Sequence, residues 1–128
     1  MYKVLFNNRE IGVSNLEYGD PPMGIAFGKL IFHDKSFGYK QMKDLCKVYE
    51  IEIVNDYSDI KLISTNTIMQ LKVINENGKE IKGIGNQITV MNNGENEISI
   101  IGIPFQFYEI EFKNHVEEYE KRFNDKQY

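Results

Sequence analysis

The sequence predicts a single α+β domain, mainly an antiparallel sheet of hairpins and a meander, with two helices packed on it. Short segments of alternating apolar and polar residues recur along the chain, and Asn-Gly turns at 77–78 and 93–94 separate several of them. Apolar residues at helical spacing occur in only two places. A length of 128 residues suits one hydrophobic core, and we expect one domain over residues 1–123 with a frayed tail at 124–128.

The N-terminal third predicts strands and one stiff loop. Residues 2–14 alternate in polarity around Asn7-Asn8, which favours a hairpin. In the run Gly19-Asp20-Pro21-Pro22, two residues precede a proline and are pushed towards extended geometry. We therefore expect a stiff, exposed, non-helical loop over residues 14–24, followed by a buried strand over residues 24–32.

Two segments show helical spacing. In residues 36–49 the apolar side chains fall on one face, so a helix is expected after the third strand. Residues 48–54 then alternate as a strand, and 55–59 form a polar bend. In residues 112–123, Asn114 is a candidate N-cap, and Val116, Tyr119 and Phe123 form the apolar stripe of a C-terminal helix.

Charge and composition restrict the partners. Nineteen acidic residues against fifteen basic ones give a net charge of −4, and only Arg9 and Arg122 are arginines. Nucleic-acid binders normally carry a basic surplus on one face, so we expect no nucleic acid as a partner and favour a basic protein. The single cysteine, Cys46, requires no oxidising compartment. With no signal or membrane-spanning pattern, the prediction is a cytoplasmic protein that contacts no membrane.

The sequence offers little for catalysis. His33, His115 and Cys46 are too few for a metal site, and Cys46 falls on the apolar face of its helix, which indicates a core residue. Carboxylate pairs such as 50/52, 56/59 and 109/111 are numerous and fit solvated surfaces. No nucleophile elbow, P-loop or dinucleotide motif is present. The prediction is a protein without enzymatic activity, cofactor or metal.

Acids and tyrosines cluster in several places. Tyrosine gives contact area at low entropic cost, and acids complement a basic partner, so the clusters suit a protein interface. The alternative is that they are ordinary surface segments whose rings turn into the core. The candidate binding residues are those of the Pro-Pro loop first, because a preordered loop loses less entropy on binding, and then those of the polar bend: Glu17, Tyr18, Asp20, Asp56, Tyr57 and Asp59.

The segments LEYGDPPMGIAFG (16–28) and GIPFQFYEIEFKNHVEEYE (102–120) resemble a group of small bacterial proteins, several of them immunity proteins encoded beside toxins. The resemblance implies a cytoplasmic, non-catalytic protein that binds the toxin domain of a contact-dependent growth inhibition or related polymorphic toxin system, many of whose toxins are basic nucleases. It names no toxin and carries over no binding residues.

The leading interpretation is therefore an immunity protein that neutralises a cognate toxin domain, a basic nuclease, by stoichiometric occlusion. The alternative is a small-ligand-binding or enzymatic domain with a pocket between sheet and helices, using His33 or His115. A third possibility is a phage or assembly component.

Overall fold

A computed structural model describes residues 1–125 and shows two antiparallel sheets and three α-helices. This confirms the predicted α+β class and the antiparallel pairing. The strands are β1 (Tyr2–Phe6), β2 (Arg9–Ser14), β3 (Tyr18–Asp20), β4 (Ile25–Lys29), β5 (Ile31–Phe32), β6 (Ile53–Tyr57), β7 (Leu62–Thr65), β8 (Leu71–Ile74), β9 (Gly85–Met91) and β10 (Glu97–Ile101). The helices are α1 (Tyr39–Val48), α2 (Phe105–Glu111) and α3 (Lys113–Asp125).

The sheet topology is more interleaved than a meander. One sheet has the order β5-β2-β1-β8 and the other β3-β4-β10-β9-β7-β6. The strand expected over residues 24–32 is divided at Leu30, which is completely buried, and its two halves, β4 and β5, belong to different sheets. Because the chain changes sheet here and β8 later pairs with β1, the expectation of one meander sheet is wrong.

Buried side chains of both sheets form one core. α1 packs Tyr39, Met42 and Cys46 into it, beside β7 and β9. The apolar face predicted for this helix is confirmed for these three residues, but Tyr49, the fourth residue expected on it, follows the helix and is 40% exposed. Burial raises the pKa of the Cys46 thiol. A buried, protonated thiol is a poor nucleophile, which fits the expected role of Cys46 as a core residue.

The predicted turns are confirmed. Asn7 and Asn8 both adopt positive φ, 49° and 64°, in the tight turn between β1 and β2. Gly94, with φ of 82°, closes the turn between β9 and β10. The turn at Asn77-Gly78 also forms, but its returning chain makes only an isolated bridge, Glu80 opposite Ile74.

The helices differ from the prediction in position and number. α1 follows the fifth strand and not the third, because residues 24–32 give two strands and Tyr18–Asp20 adds another. α2 was not expected, since its seven residues are too few to show a clear helical period. α3 begins at Lys113, so Asn114 lies inside the helix and is not its cap. The helix continues to Asp125, and residues 126–128 of the expected tail lie outside the described residues.

The strand after α1 starts later than expected. α1 continues to Val48, and Glu50 adopts a positive φ of 55°, so the chain becomes extended only from Ile53. Residues 55–57, expected in a polar bend, therefore belong to β6. Within residues 1–125, no helix has the length and apolar character needed to cross a membrane.

Candidate functional site

The Pro-Pro segment is a short strand followed by one 3₁₀ turn. Tyr18–Asp20 pairs with β4, and Pro21–Met23 forms the turn. The expectation of an exposed, non-helical loop is therefore wrong for both parts, and Pro21 is buried. Proline suits the first helical position because its φ is already helical and its missing N–H would have no partner there. Gly24, with φ of 65°, donates its N–H to the Pro21 carbonyl at 3.0 Å and ends the turn.

Two side chains from the C-terminal helices fix this segment. The Tyr108 hydroxyl donates to the Ile25 carbonyl at 2.8 Å, and His115 Nε2 lies 2.8 Å from the Leu16 carbonyl. Because a carbonyl only accepts, Nε2 carries the proton. A Cβ added to Gly19 would meet the Tyr108 hydroxyl and come within 2.9 Å of the His115 ring. His115 is 4% exposed and is thus a buried anchor of β3.

The anchored strand presents its acids and its tyrosine to the outside. Gly19 faces Tyr108 and His115, so its neighbours Tyr18 and Asp20 point away from these two side chains, as alternation along a strand requires. Tyr18 is 59% exposed, and its ring lies against Phe27 with a centroid distance of 5.3 Å. Glu17 is also exposed, although its carboxylate accepts the Lys29 backbone N–H at 3.3 Å. The three candidates ranked first, Glu17, Tyr18 and Asp20, are thus all exposed, within or next to the anchored strand β3.

Strand pairing brings further acids to Glu17 and Tyr18. Glu97 lies opposite Lys29 in the β4–β10 pair, and Glu95 belongs to the same neighbourhood. A groove here has a volume of about 550 Å³, and we call it the acidic groove; its lining includes Glu17, Tyr18, Lys29, Glu95 and Glu97. Glu95 and Glu97 were missed because their proximity to Glu17 depends on a pairing between distant parts of the chain.

Asp20 lines a second groove, of about 450 Å³, on the other side of Tyr18. Tyr119, Arg122 and Phe123 of α3 form its other wall, so the exposed end of the predicted apolar stripe faces this groove and not the core. Burial, and secondarily the charge of Asp20, raises the pKa of Tyr108 to about 12. The carboxylate of Asp20 is thus close enough to Tyr108 to affect the pKa of its hydroxyl.

The second group of candidates lies at the opposite edge of the six-stranded sheet. Five strand spacings of about 4.8 Å separate β3 from β6, roughly 24 Å in all. Asp56 faces α1, where it accepts a hydrogen bond from the Tyr39 hydroxyl and pairs with Lys43 at 3.0 Å. Tyr57 is half-exposed, and Asp59 is exposed in the following turn. The six candidates therefore form two separate surfaces.

The protonation of Asp56 should report on its contacts. The hydrogen bond from Tyr39, and then Lys43, lower its pKa. A carboxylate with a lowered pKa stabilises the fold above its unfolded-state pKa, and this contribution is lost as pH falls through the folded value. We expect an NMR titration of its carboxyl carbon to have a midpoint below 3.8. Tyr39→Phe should move the midpoint upwards, and an unchanged midpoint would contradict the contact.

The ligand-binding alternative requires a pocket between sheet and helices, and the structure has a cavity beside His33. It measures about 340 Å³ and lies between the four-stranded sheet and α1. His33 contacts the Glu10 carboxylate at 2.5 Å at its mouth, and Asp34 is engaged by Ser36. Apolar side chains form most of the wall: Phe6, Ile11, Phe32, Phe37 and Leu45. The volume is near the lower end for ligand sites, about 300 Å³. In the part of the chain that the structure describes, no three metal-ligating side chains converge.

Comparison with family models, curated protein sequences and solved structures gives no match. The functional argument therefore depends on the geometry and charge of the surfaces described above.

Proposed function

We propose that this chain is an immunity protein that binds a cognate bacterial toxin domain and neutralises it by stoichiometric occlusion. The observation that carries the proposal is the anchored strand β3, which presents Tyr18 and Asp20 outwards beside the exposed Glu17 that precedes it, while Tyr108 and His115 hold its inner side. The resemblance of residues 16–28 and 102–120 to immunity proteins covers this strand and both of its anchors.

Charge supports a basic partner. The acidic groove contains three carboxylates, from Glu17, Glu95 and Glu97, and one ammonium group, from Lys29. Such a surface attracts a nuclease whose substrate-binding face is basic, and it increases the rate of encounter more than it increases the final affinity. Covering that face excludes the nucleic-acid substrate without any chemical step. The immunity protein acts in the cytoplasm, where the toxin would act.

Tyr18 supplies the apolar part of the contact. A tyrosine that is 59% exposed in the free protein still has ring area to bury in an interface. Its contact with Phe27 and its place in the β3–β4 ladder restrict its backbone and ring before binding. Little entropy is then lost when the partner docks, which favours affinity.

The proposal is tested by co-expression. The C-terminal domain of the protein encoded immediately upstream is expressed in a bacterial host with and without this chain, and growth is followed. Growth arrest that this chain relieves would support the proposal. Arrest that persists with the folded chain present, or no arrest at all, would contradict it.

Charge reversal then tests the surface. Glu17→Lys together with Asp20→Lys should lower the association rate with the toxin about 10-fold or more at low salt, because steering depends on the local field. The matched control is Asp44→Lys with Glu109→Lys, which changes the net charge equally at exposed positions outside both grooves. Stopped-flow mixing measures both rates, and equal losses in the two variants would exclude a role for this particular surface.

A second candidate function is small-ligand binding at the cavity beside His33. The observation that favours it is the apolar wall with Arg9, Glu10 and His33 at the mouth. The co-expression assay separates the two candidates, since a ligand-binding domain would not relieve growth arrest.

A further inference from the structure

The four sheet edges are protected to different degrees. β3 lies against α3, and β5 has only two residues. The outer side of β8 is partly covered, because Glu80 bridges to Ile74 and the Ile81 N–H donates to the Val73 carbonyl at 2.8 Å. β6 pairs with β7 alone in residues 1–125, and all five of its residues are exposed. Natural sheets usually cover or shorten such edges, so this difference within one molecule indicates a contact surface.

The β6 edge also has the side chains of a strand-pairing surface. Ile53, Val54, Tyr57 and Ile60 are between 36% and 57% exposed, although residues of these types favour buried positions in sheets. No lysine or proline lies in the strand to oppose pairing. A bulge between Ile53 and Asn55 disturbs one end, while Asn55–Tyr57 keep a regular register with β7.

The charges near β6 indicate which kind of chain could pair with this edge. Residues 50–61 contain four acids and one lysine, and among residues 1–125 only Asp56 of these acids has a cationic partner, Lys43 at 3.0 Å. A second copy of this chain would place the same unpaired acids, Glu50, Glu52 and Asp59, beside this edge. Like charges across a strand pair are unfavourable, whereas lysines or arginines would be attracted.

We propose that β6 binds an extended, basic segment of another protein as an added strand. Backbone hydrogen bonds provide the pairing, Ile53, Val54 and Tyr57 contact apolar side chains of the added strand, and the flanking acids select basic ones. This surface is at the opposite edge from the acidic groove, so the proposal does not depend on the proposed function.

The probe is a short synthetic peptide in which lysine and valine alternate, added to the isotope-labelled full-length protein. Amide shifts and protection from hydrogen exchange are expected at residues 53–57. A peptide with glutamate in place of lysine, and one with proline in place of valine, should each bind about tenfold or more weakly. The first control removes the charge complementarity and the second removes the strand conformation.

Three outcomes would overturn the proposal. Equal binding of the proline peptide would show attraction without strand pairing. Shifts that are absent from residues 53–57 would place the contact elsewhere. Sedimentation equilibrium that shows a dimer without peptide, abolished by Ile53→Lys with Tyr57→Lys, would identify a second copy as the occupant.

Discussion

Replacement of Tyr108 by alanine is expected to lower the free energy of unfolding by about 3–5 kcal/mol, the usual cost of removing a large buried aromatic side chain. Tyr108 is completely buried, and its ring packs on Phe112 with a centroid distance of 5.1 Å. The substitution also removes the hydrogen bond to Ile25 and the neighbour that holds Gly19. Urea unfolding followed by far-UV circular dichroism measures the loss. A cost below about 1 kcal/mol would show that the ring is not part of the core.

Tyr108→Phe separates anchoring from packing. It keeps the ring, so only about 1 kcal/mol should be lost with the hydroxyl. The matched control, in β1 of the other sheet, is Tyr2→Phe, which removes a hydroxyl bonded to Glu111 at 2.8 Å. Both variants should remain folded. If Tyr108 positions the binding surface, only its variant should weaken toxin neutralisation, and equal effects would indicate a stability change alone.

Replacement of Tyr18 by alanine is expected to weaken toxin binding by about 2 kcal/mol, roughly 30-fold in Kd. The side chain is 59% exposed, so the folded state should lose little besides its contact with Phe27. Isothermal titration calorimetry measures the affinity, and the unfolding midpoint in urea verifies that the fold is kept.

Tyr57→Ala tests the second group of predicted toxin-binding residues, because Tyr57 has similar exposure, 51%, at the opposite edge of the same sheet. A loss of toxin affinity comparable to that of Tyr18→Ala would show that both surfaces take part, and an affinity within about twofold of the unchanged protein would restrict the contact to the β3 side. Loss of affinity at Tyr57 with none at Tyr18 would transfer the toxin contact to β6.

Local features of the sequence predicted the turns and one helix face. Asn7-Asn8 and Gly94 turn where their φ preferences require, and the apolar spacing of Tyr39, Met42 and Cys46 identifies the buried face of α1. The prediction for the Pro-Pro segment depended on the prolines alone, and it failed. Pro21 reads as a helix breaker, yet it begins a 3₁₀ turn because the first position of a helix accepts proline.

The site required long-range information. Tyr18 and Asp20 are exposed because Gly19, between them, faces inwards. Gly19 faces inwards because it packs against Tyr108 of α2 and His115 of α3, which are distant in the sequence. Glu97 joins the acidic groove only through the register between β4 and β10. Sequence periodicity reports which side of a strand is buried, and it contains no information about which strand lies next to it.

The anchoring of β3 by α2 and α3 also determines when this part of the fold can form during synthesis. The hydrogen bond from His115 reaches back 99 residues to Leu16, and β4 acquires its neighbour β10 only when residues 97–101 have been made. A ribosome-bound chain that stops before β10 lacks a central strand of the six-stranded sheet, and one that stops before α3 lacks the contact of His115 with Leu16. The proposed toxin-binding surface should therefore form only after residues 97–115 have been made, and products truncated before His115 should be targets for proteases.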